Sequence, residues 1–121
     1  MKYRLYAVRI FSHRWEESLI FYKDVIRLPL AFSDASMGWA QFEVGTAHLG
    51  LERCDPADDE SRELVGRFIG ISLEVDDIQG TYEALLAQGV EFVAPPEKQA
   101  WGGTLAHFKD PDDNVVTLLG A

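Results

Sequence analysis

An α+β fold assembled from two successive βαβββ repeats is the class this sequence predicts. Three observations carry it. Short runs rich in β-branched and aromatic residues recur along the chain, as strands do. One segment in each half spaces its apolar residues three to four positions apart, as one face of a helix does. The order of elements in the first half also recurs in the second. Setting Val75 on Ser12 gives an offset of 63 residues, about half of the 121-residue chain, which marks an internal repeat of supersecondary structure.

The first strand is read over Tyr3–Phe11. Beyond Ser12-His13, the positions Trp15, Leu19, Tyr22, Val25 and Ile26 form a helical stripe. Ser12 stands where a cap belongs, Glu16 and Glu17 place negative charge in the first turn, and Pro29 stops the helix. Strands Leu30–Phe32, Gly38–Val44 and Ala47–Glu52 follow, the last two joined by the two-residue turn Gly45-Thr46. In the second half Phe68–Val75 reads as a strand and Asp77 as an N-cap. Ile78, Tyr82, Leu85 and Leu86 make the helical stripe, and Gly89 sits where a C′ glycine belongs. Strands Glu91–Ala94, Gly103–Phe108 and Val115–Leu119 complete the repeat, with Asp110-Pro111-Asp112-Asp113-Asn114 as the final turn.

The expected organisation is a single domain over residues 1–121, with repeat one at about 3–52, a linker at about 53–67 and repeat two at about 68–119. The linker carries Asp55, Asp58, Asp59, Glu60 and Glu63. It reads as a solvated connection with a short helical turn around Glu63–Gly66, not as an acidic binding site.

At 47% apolar and 12% aromatic residues the chain has the material for a packed interior, which excludes global disorder. Eleven Lys and Arg against 20 Asp and Glu leave a net charge of −9, and the pI is near 4.6. That balance argues against a nucleic-acid backbone or an anionic membrane surface as partner, and favours neutral or cationic ligands over polyanions. The lone Cys54 can form neither an intrachain disulfide nor a thiolate cluster, and Arg53, Asp55 and Pro56 beside it supply no activating base. A reducing compartment is the simplest reading. No apolar run approaches the roughly 20 residues of a spanning helix, and the first residues lack the apolar core of a signal peptide, so the cytoplasm is the expected location.

The run Ser18-Leu19-Ile20-Phe21-Tyr22-Lys23-Asp24-Val25, followed by Leu28-Pro29-Leu30, resembles a recurrent segment of the vicinal oxygen chelate superfamily. That superfamily groups glyoxalase I, type I extradiol dioxygenases, fosfomycin-resistance proteins and bleomycin-binding proteins. Ile71-Ser72-Leu73-Glu74-Val75-Asp76-Asp77-Ile78 and the closing Asp110–Asn114 turn extend the resemblance over nearly the whole chain. It implies a glyoxalase-like curved mixed sheet with a helix packed behind each half. It does not choose among the isomerases, dioxygenases, transferases and binders that one fold hosts.

In catalytic members, four strands present His, Gln or Glu to a divalent cation that polarises vicinal oxygens. By the family's spacing those positions fall here on Ala7, Gly50, Gly70 and Thr117, which make no useful ligand set. The resemblance therefore implies no metal at the usual place and no cofactor. A displaced site built from His48, Glu52 and Glu74 stays open, as does their reading as polar cavity or edge residues.

Alternation sorts the strands. Val8 and Ile10, Leu49 and Leu51, Ile71, Leu73 and Val75, and Val116 and Leu118 are expected under the helices. Leu5, Ala7, Arg9, Phe11, His48, Gly50, Glu52, Gly70, Ser72, Glu74, Val115, Thr117 and Leu119 then face a roomy, partly polar pocket. Arg9 needs a carboxylate or an anionic ligand group, and Glu52 and Glu74 are in phase with it; an internal ion pair and ligand recognition are both open. His48 is a base near neutrality or a hydrogen-bonded structural residue. Trp101, in the loop before the seventh strand, stacks on a flat ligand, caps an apolar edge or meets a partner subunit. Trp39 is assigned to core or interface, His107 keeps an ambiguous facing, and Trp15 belongs to the core.

The expected ligand-binding set is Arg9, His48, Glu52, Ser72, Glu74, Trp101 and Thr117, with Glu74 and His48 the catalytic candidates. Three functions follow in order. The first is a metal-free protein that binds a small organic molecule in the cavity of the curved sheet, as the bleomycin-binding relatives trap a cationic drug between subunits. The second is a glyoxalase- or dioxygenase-type enzyme with a displaced metal. The third is a metal-free lyase or isomerase with Glu74 or His48 as general base beside Arg9 as anion clamp. The resemblance also implies a homodimer whose pockets draw on both chains.

Overall fold

The computed structural model describes every residue from Met1 to Ala121, and the chain divides into two compact units, Met1–Val65 and Gly66–Ala121. Unit 1 runs β1 (Val8–Ser12), α1 (Trp15–Ile20) continuing into a π-helical segment (Phe21–Val25), β2 (Leu30–Asp34), β3 (Trp39–Val44), β4 (Ala47–Arg53) and α2 (Ser61–Leu64). Its sheet has the order β1-β4-β3-β2, with β1 parallel to β4 and the other pairs antiparallel. Unit 2 runs β5 (Phe68–Glu74), α3 (Ile78–Ala87), β6 (Glu91–Phe92), β7 (Glu97–Lys98), β8 (Thr104–Lys109) and β9 (Val115–Gly120). Its sheet has the order β5-β9-β8-β6, with β7 also pairing β8 and with β5 parallel to β9. Each half is thus a mixed sheet in which the first strand lies parallel to the last, with a helix against one face, as the α+β reading expects.

In unit 1 the helix-side face buries Ile10, Ala40, Phe42, Leu49 and Leu51 against Trp15 and Tyr22 of the helical segment. Fully burying side chains of this size contributes roughly 1.5–3 kcal/mol each. The Trp15 indole N–H donates to the Leu51 carbonyl at 3.0 Å, so this buried polar group is satisfied. The helical segment ends with Ile26 N–H on the Phe21 carbonyl and Leu28 N–H on that of Tyr22, and Arg27 takes a φ of +67° before Pro29. In unit 2, Ile78, Leu85, Val90, Ala106, Phe108, Val116 and Leu118 form the core.

Local signals fix the ends of α3. The Asp77 Oδ1 accepts the Gly80 N–H at 3.0 Å. At the other end Gly89 has a φ of +88°, its N–H bonds the Leu86 carbonyl, and the Val90 N–H bonds that of Leu85, a Schellman closure. The final turn is held by Asp110, whose Oδ1 accepts the N–H groups of Asp112 and Asn114 at 2.8 and 3.0 Å. Buried Asn114 donates to Asp110 Oδ2 at 3.2 Å and accepts the Gly66 N–H at 2.8 Å.

Several elements differ from expectation. The first strand begins at Val8, not Tyr3: Val8 pairs with Leu49 and β4 begins at Ala47, level with Tyr6, so residues 3–5 have no strand to pair with. Ser12 is not a helix cap. It ends β1, fully buried and paired with Arg53, and the cap position falls on Arg14. Strand β2 extends to Asp34, β6 stops at Phe92, and the linker's helical turn spans Ser61–Leu64. The pair Glu97-Lys98, read only as loop, pairs with Leu105 and Thr104. Gly70 carries a φ of +80° where the β5–β9 ladder shifts register, so glycine serves a bulge there.

Candidate functional site

Register places the side chains of unit 1 on two faces. Gly50 is opposite both Arg9 and Gln41, Glu52 is opposite Phe11 and Trp39, and β2 sets Phe32 against Gln41 and Asp34 against Trp39. All of these share the face turned away from the helix. On it, Arg9 Nη1 lies 3.1 Å from Glu52 Oε1 and the guanidinium sits 5.1 Å from the Phe11 ring centre. The ion-pair alternative for Arg9 is thereby realised with Glu52. The two side chains are 54% and 34% exposed, so the pair adds about 1 kcal/mol at most. His48 places Nδ1 3.2 Å from the Tyr6 carbonyl and meets the Tyr6 ring edge-on.

Trp39, assigned above to core or interface, lies on this face. A Cβ at Gly50 would meet its ring, at 2.7 Å from Cζ2 and 2.8 Å from Cζ3, so Gly50 makes room for the indole. Gln41, only 5% exposed, orients two rings through one oxygen. Its Oε1 accepts the Tyr6 hydroxyl at 2.8 Å and the Trp39 indole N–H at 3.3 Å.

Beside these rings opens a cavity of about 720 Å³, within the roughly 300–1,000 Å³ of small-molecule sites. Tyr6, Phe32 and Trp39 supply aromatic walls, and the turn from Asp34 through Met37 closes one side. Asp34 is the one charged residue of the lining. Its Oδ1 accepts the Ser36 hydroxyl at 2.6 Å, the Ser36 N–H at 3.0 Å and the Met37 N–H at 3.3 Å. The Ser36 hydroxyl bond, followed by the Met37 N–H, holds this carboxyl below its ordinary value of 3.8, so it is ionised at neutral pH. Those bonds all fall on Oδ1; Oδ2 takes part in none of them. The arrangement offers aromatic surface to a flat apolar body and presents it with one negative charge.

The lining includes none of the ligand-binding residues expected from sequence. Arg9, Glu52 and His48 lie on the same face of unit 1, with the partners given above. In unit 2, Ser72 and Glu74 are exposed on β5, opposite Thr117 and Leu119. Thr117 is buried, its hydroxyl 2.8 Å from His107 Nδ1, which settles the facing of His107. Trp101 is 67% exposed, its ring lying over Gly103 of its own loop. Tyr6, Phe32, Asp34, Met37 and Gln41 were not singled out. Asp34-Ala35-Ser36-Met37-Gly38 does carry a turn signature between two aromatic residues, which was the available clue.

The four positions that the family pattern gives to metal ligands do not fit a divalent cation. Ala7 and the two glycines bring no donor, the Trp39 ring fills the space over Gly50, and the Thr117 hydroxyl is engaged by His107. Within either unit taken by itself, no three His, Cys, Asp or Glu side chains converge. No helix is long and apolar enough to cross a membrane.

A family model described as the Glyoxalase/Bleomycin resistance protein/Dioxygenase superfamily matches residues 4–118. The chain is 27% identical over 124 residues to the uncharacterized protein YraH of Bacillus subtilis (strain 168), covering 95% of this chain and 96% of that protein. Among solved structures it is similar to a member of the same superfamily from Sphaerobacter thermophilus, with a TM-score of 0.81, 27% identity and coverage of 99% and 98% of the two chains. It shares its fold with TnmS3, an antibiotic binding protein from Streptomyces sp., at a TM-score of 0.76, 24% identity and coverage of 98% and 96%. With the match running through both βαβββ halves, the chain belongs to the glyoxalase/bleomycin resistance protein/dioxygenase superfamily.

Proposed function

We propose that this protein binds a small, planar organic molecule carrying a cationic or N–H donor group, in the unit 1 cavity and without a metal. One observation carries the reading: three aromatic side chains and Met37 surround a space whose single charge is the ionised Asp34 carboxylate. Ring stacking contributes about 0.5–1.5 kcal/mol per pair beyond the area buried, and a carboxylate with an uncommitted oxygen selects a donor. TnmS3, an antibiotic binding protein, shares this fold, so the fold is compatible with a binder. The reading extends to a homodimer, supported by exposed apolar side chains in the N-terminal segment, where Tyr3 and Leu5 are 83% and 74% exposed, and to the cytoplasm, supported by the single cysteine, Cys54, which is in no disulfide.

Proflavine, a flat tricyclic cation, is the test probe. It should raise the melting temperature in a concentration-dependent way, the stabilisation reaching about 2.7 kcal/mol at a hundred times Kd. Trp39→Ala should weaken binding about tenfold or more, a change of about 1.4 kcal/mol. Asp34→Asn should weaken proflavine more than it weakens acridine, which is neutral at pH 8. Absence of any shift with both compounds refutes the reading. Elemental analysis of protein purified without chelator should find less than about a tenth of an equivalent of Zn, Ni, Mn or Fe, since true sites of this kind bind tightly.

A further inference from the structure

We infer that Arg53 is a positioning residue for this cavity, holding the β2–β3 turn in place from the opposite side of the sheet; the inference rests on the binding reading above. Arg53 does not line the cavity. It ends β4, paired with Ser12, on the face that packs against the helix. From there it takes hold of the turn twice. Its backbone N–H donates to the Gly38 carbonyl at 2.8 Å, and its Nη2 donates to the Ala35 carbonyl at 2.7 Å.

The same guanidinium is fixed at its far side by α1. Nη1 lies 3.5 Å from Glu16 Oε1, and Cζ sits 5.4 Å from the Trp15 ring centre. One planar group therefore ties a carbonyl of the turn to a carboxylate and a buried indole of the helix. A lysine ammonium, a point charge without the planar fork, cannot serve the three together. The close approach dictates residue 38 as well. Gly38 has a φ of +65°, and a Cβ there would meet Arg53 Cβ at 2.7 Å, Nε at 3.0 Å and Cζ at 3.1 Å.

Beyond the ladder that closes at Asp34 and Trp39, residues 35–37 have few other holds. Ala35, Ser36 and Met37 are exposed, Met37 at 76%, so no apolar packing anchors them. Within the turn, the Gly38 N–H reaches the Ala35 carbonyl at 3.3 Å and the Met37 N–H reaches the Asp34 carbonyl at 3.2 Å, both at the long end of hydrogen bonding. The remaining bonds fall on Asp34 Oδ1. Beside the β2–β3 ladder, Arg53 thus adds a side-chain link between the wall that would touch ligand and the helix-side body of the unit, which is what preorganisation of a binding wall requires.

The test uses the full chain, with Arg53→Ala, Arg53→Lys and wild type compared by three readouts: proflavine Kd from tryptophan quenching, melting temperature, and hydrogen exchange of the Met37 and Gly38 amides without ligand. Arg53→Ala should raise Kd about tenfold and speed exchange at both amides about tenfold or more. Arg53→Lys should recover much of the melting temperature while Kd stays at least about threefold above wild type. A merely structural Arg53 would lower the melting temperature and leave the Kd of the folded protein unchanged. Arg53→Ala within about twofold of wild type in Kd, or with unchanged exchange, overturns the inference. If Arg53→Ala does not fold, Arg53→Lys decides, and equality with wild type in Kd and exchange overturns it. Wild-type protein that fails to bind proflavine refutes the binding reading itself and the role of Arg53 with it. Tight wild-type binding with an equally tight Arg53→Ala refutes this inference alone.

Discussion

Replacing Gly50 by alanine adds one methyl group where the Trp39 indole now lies. Its Cβ would sit 2.7 Å from Cζ2 and 2.8 Å from Cζ3 of that ring. Carbon atoms in contact rest roughly 3.5–4.0 Å apart and Cη2 of the ring lies nearer still, so ring and strand must separate by more than about 1 Å. The strand cannot give way easily, since Gly50 is laddered to Arg9 on one side and Gln41 on the other. The ring yields instead, and it lines the cavity. Overpacking of this kind costs about 1–3 kcal/mol, and the displaced indole also gives up its 3.3 Å bond to Gln41. That long bond, on a half-exposed ring that water can reach, adds only about 0.5 kcal/mol. Gly50→Ala should therefore destabilise by about 2 kcal/mol and lower the melting temperature on the order of 10 °C. Its tryptophan emission should shift and its proflavine affinity fall, because the indole then stands in the ligand's space. Thermal unfolding, emission spectra and quenching titrations check these together. A variant matching wild type in all three would show that Trp39 does not rest on Gly50, and the assignment of the cavity wall would go with it.

Other changes have defined outcomes. Asn114→Ala removes the acceptor of the Gly66 N–H and a donor to Asp110 in a buried turn; a loss of about 2–3 kcal/mol is expected in urea unfolding, and a loss below about 0.5 kcal/mol would contradict the bonding described. Asp77→Ala should cost about 1 kcal/mol through the lost cap of α3, while Asp77→Asn or Asp77→Ser retains most of it. The Asp34 carboxyl is held below 3.8 in the folded protein, so the folded state binds fewer protons there. Its contribution to the turn is complete above 3.8 and is lost as pH falls through the lower folded value. In an NMR titration the Met37 amide should show its inflection below 3.8, and Ser36→Ala should move that inflection upward, because the Ser36 hydroxyl is the foremost cause of the lowering. An inflection at or above 3.8 in wild type would contradict the hydrogen bonds to Oδ1.

Features carried by a few neighbouring residues were legible in the sequence. The Asp77 cap, the Gly89 closure and the Gly45-Thr46 hairpin each depend on side chains or backbone freedom within about five positions. The repeat was legible too, because strand and helix periods survive in both halves. The start of β1 was not, since residues 3–5 include strand-forming side chains but lie before the start of β4 in the register. Nor was β7, two polar residues whose only reason to be extended is their pairing with β8. The cavity escaped for a similar reason. Asp34 and Met37 acquire a role only once Arg53, from the end of β4, and Tyr6, from before β1, arrive beside them. For Arg9 two carboxylates were in phase, and only the β1–β4 register sets Glu52 at 3.1 Å; the side chain is 54% exposed, so burial does not demand the partner.

The parallel seam between the first and last strands of each unit has a kinetic consequence. Arg9 pairs with Gly50, and Ser72 with Thr117, so each seam joins residues about 40 or more positions apart, whereas Gly45-Thr46 joins neighbours. Closing a loop of that length forfeits chain entropy before any contact rewards it. The β3–β4 hairpin is therefore expected to form early and the β1–β4 seam late. Gly45→Val should slow refolding, and Ile10→Val should mainly hasten unfolding, in stopped-flow chevrons. Until that late step, the edge of β4 stands unpaired. A newly made chain is then most exposed to aggregation after residue 53 has emerged and before its own first strand has come back to cover the sheet's edge.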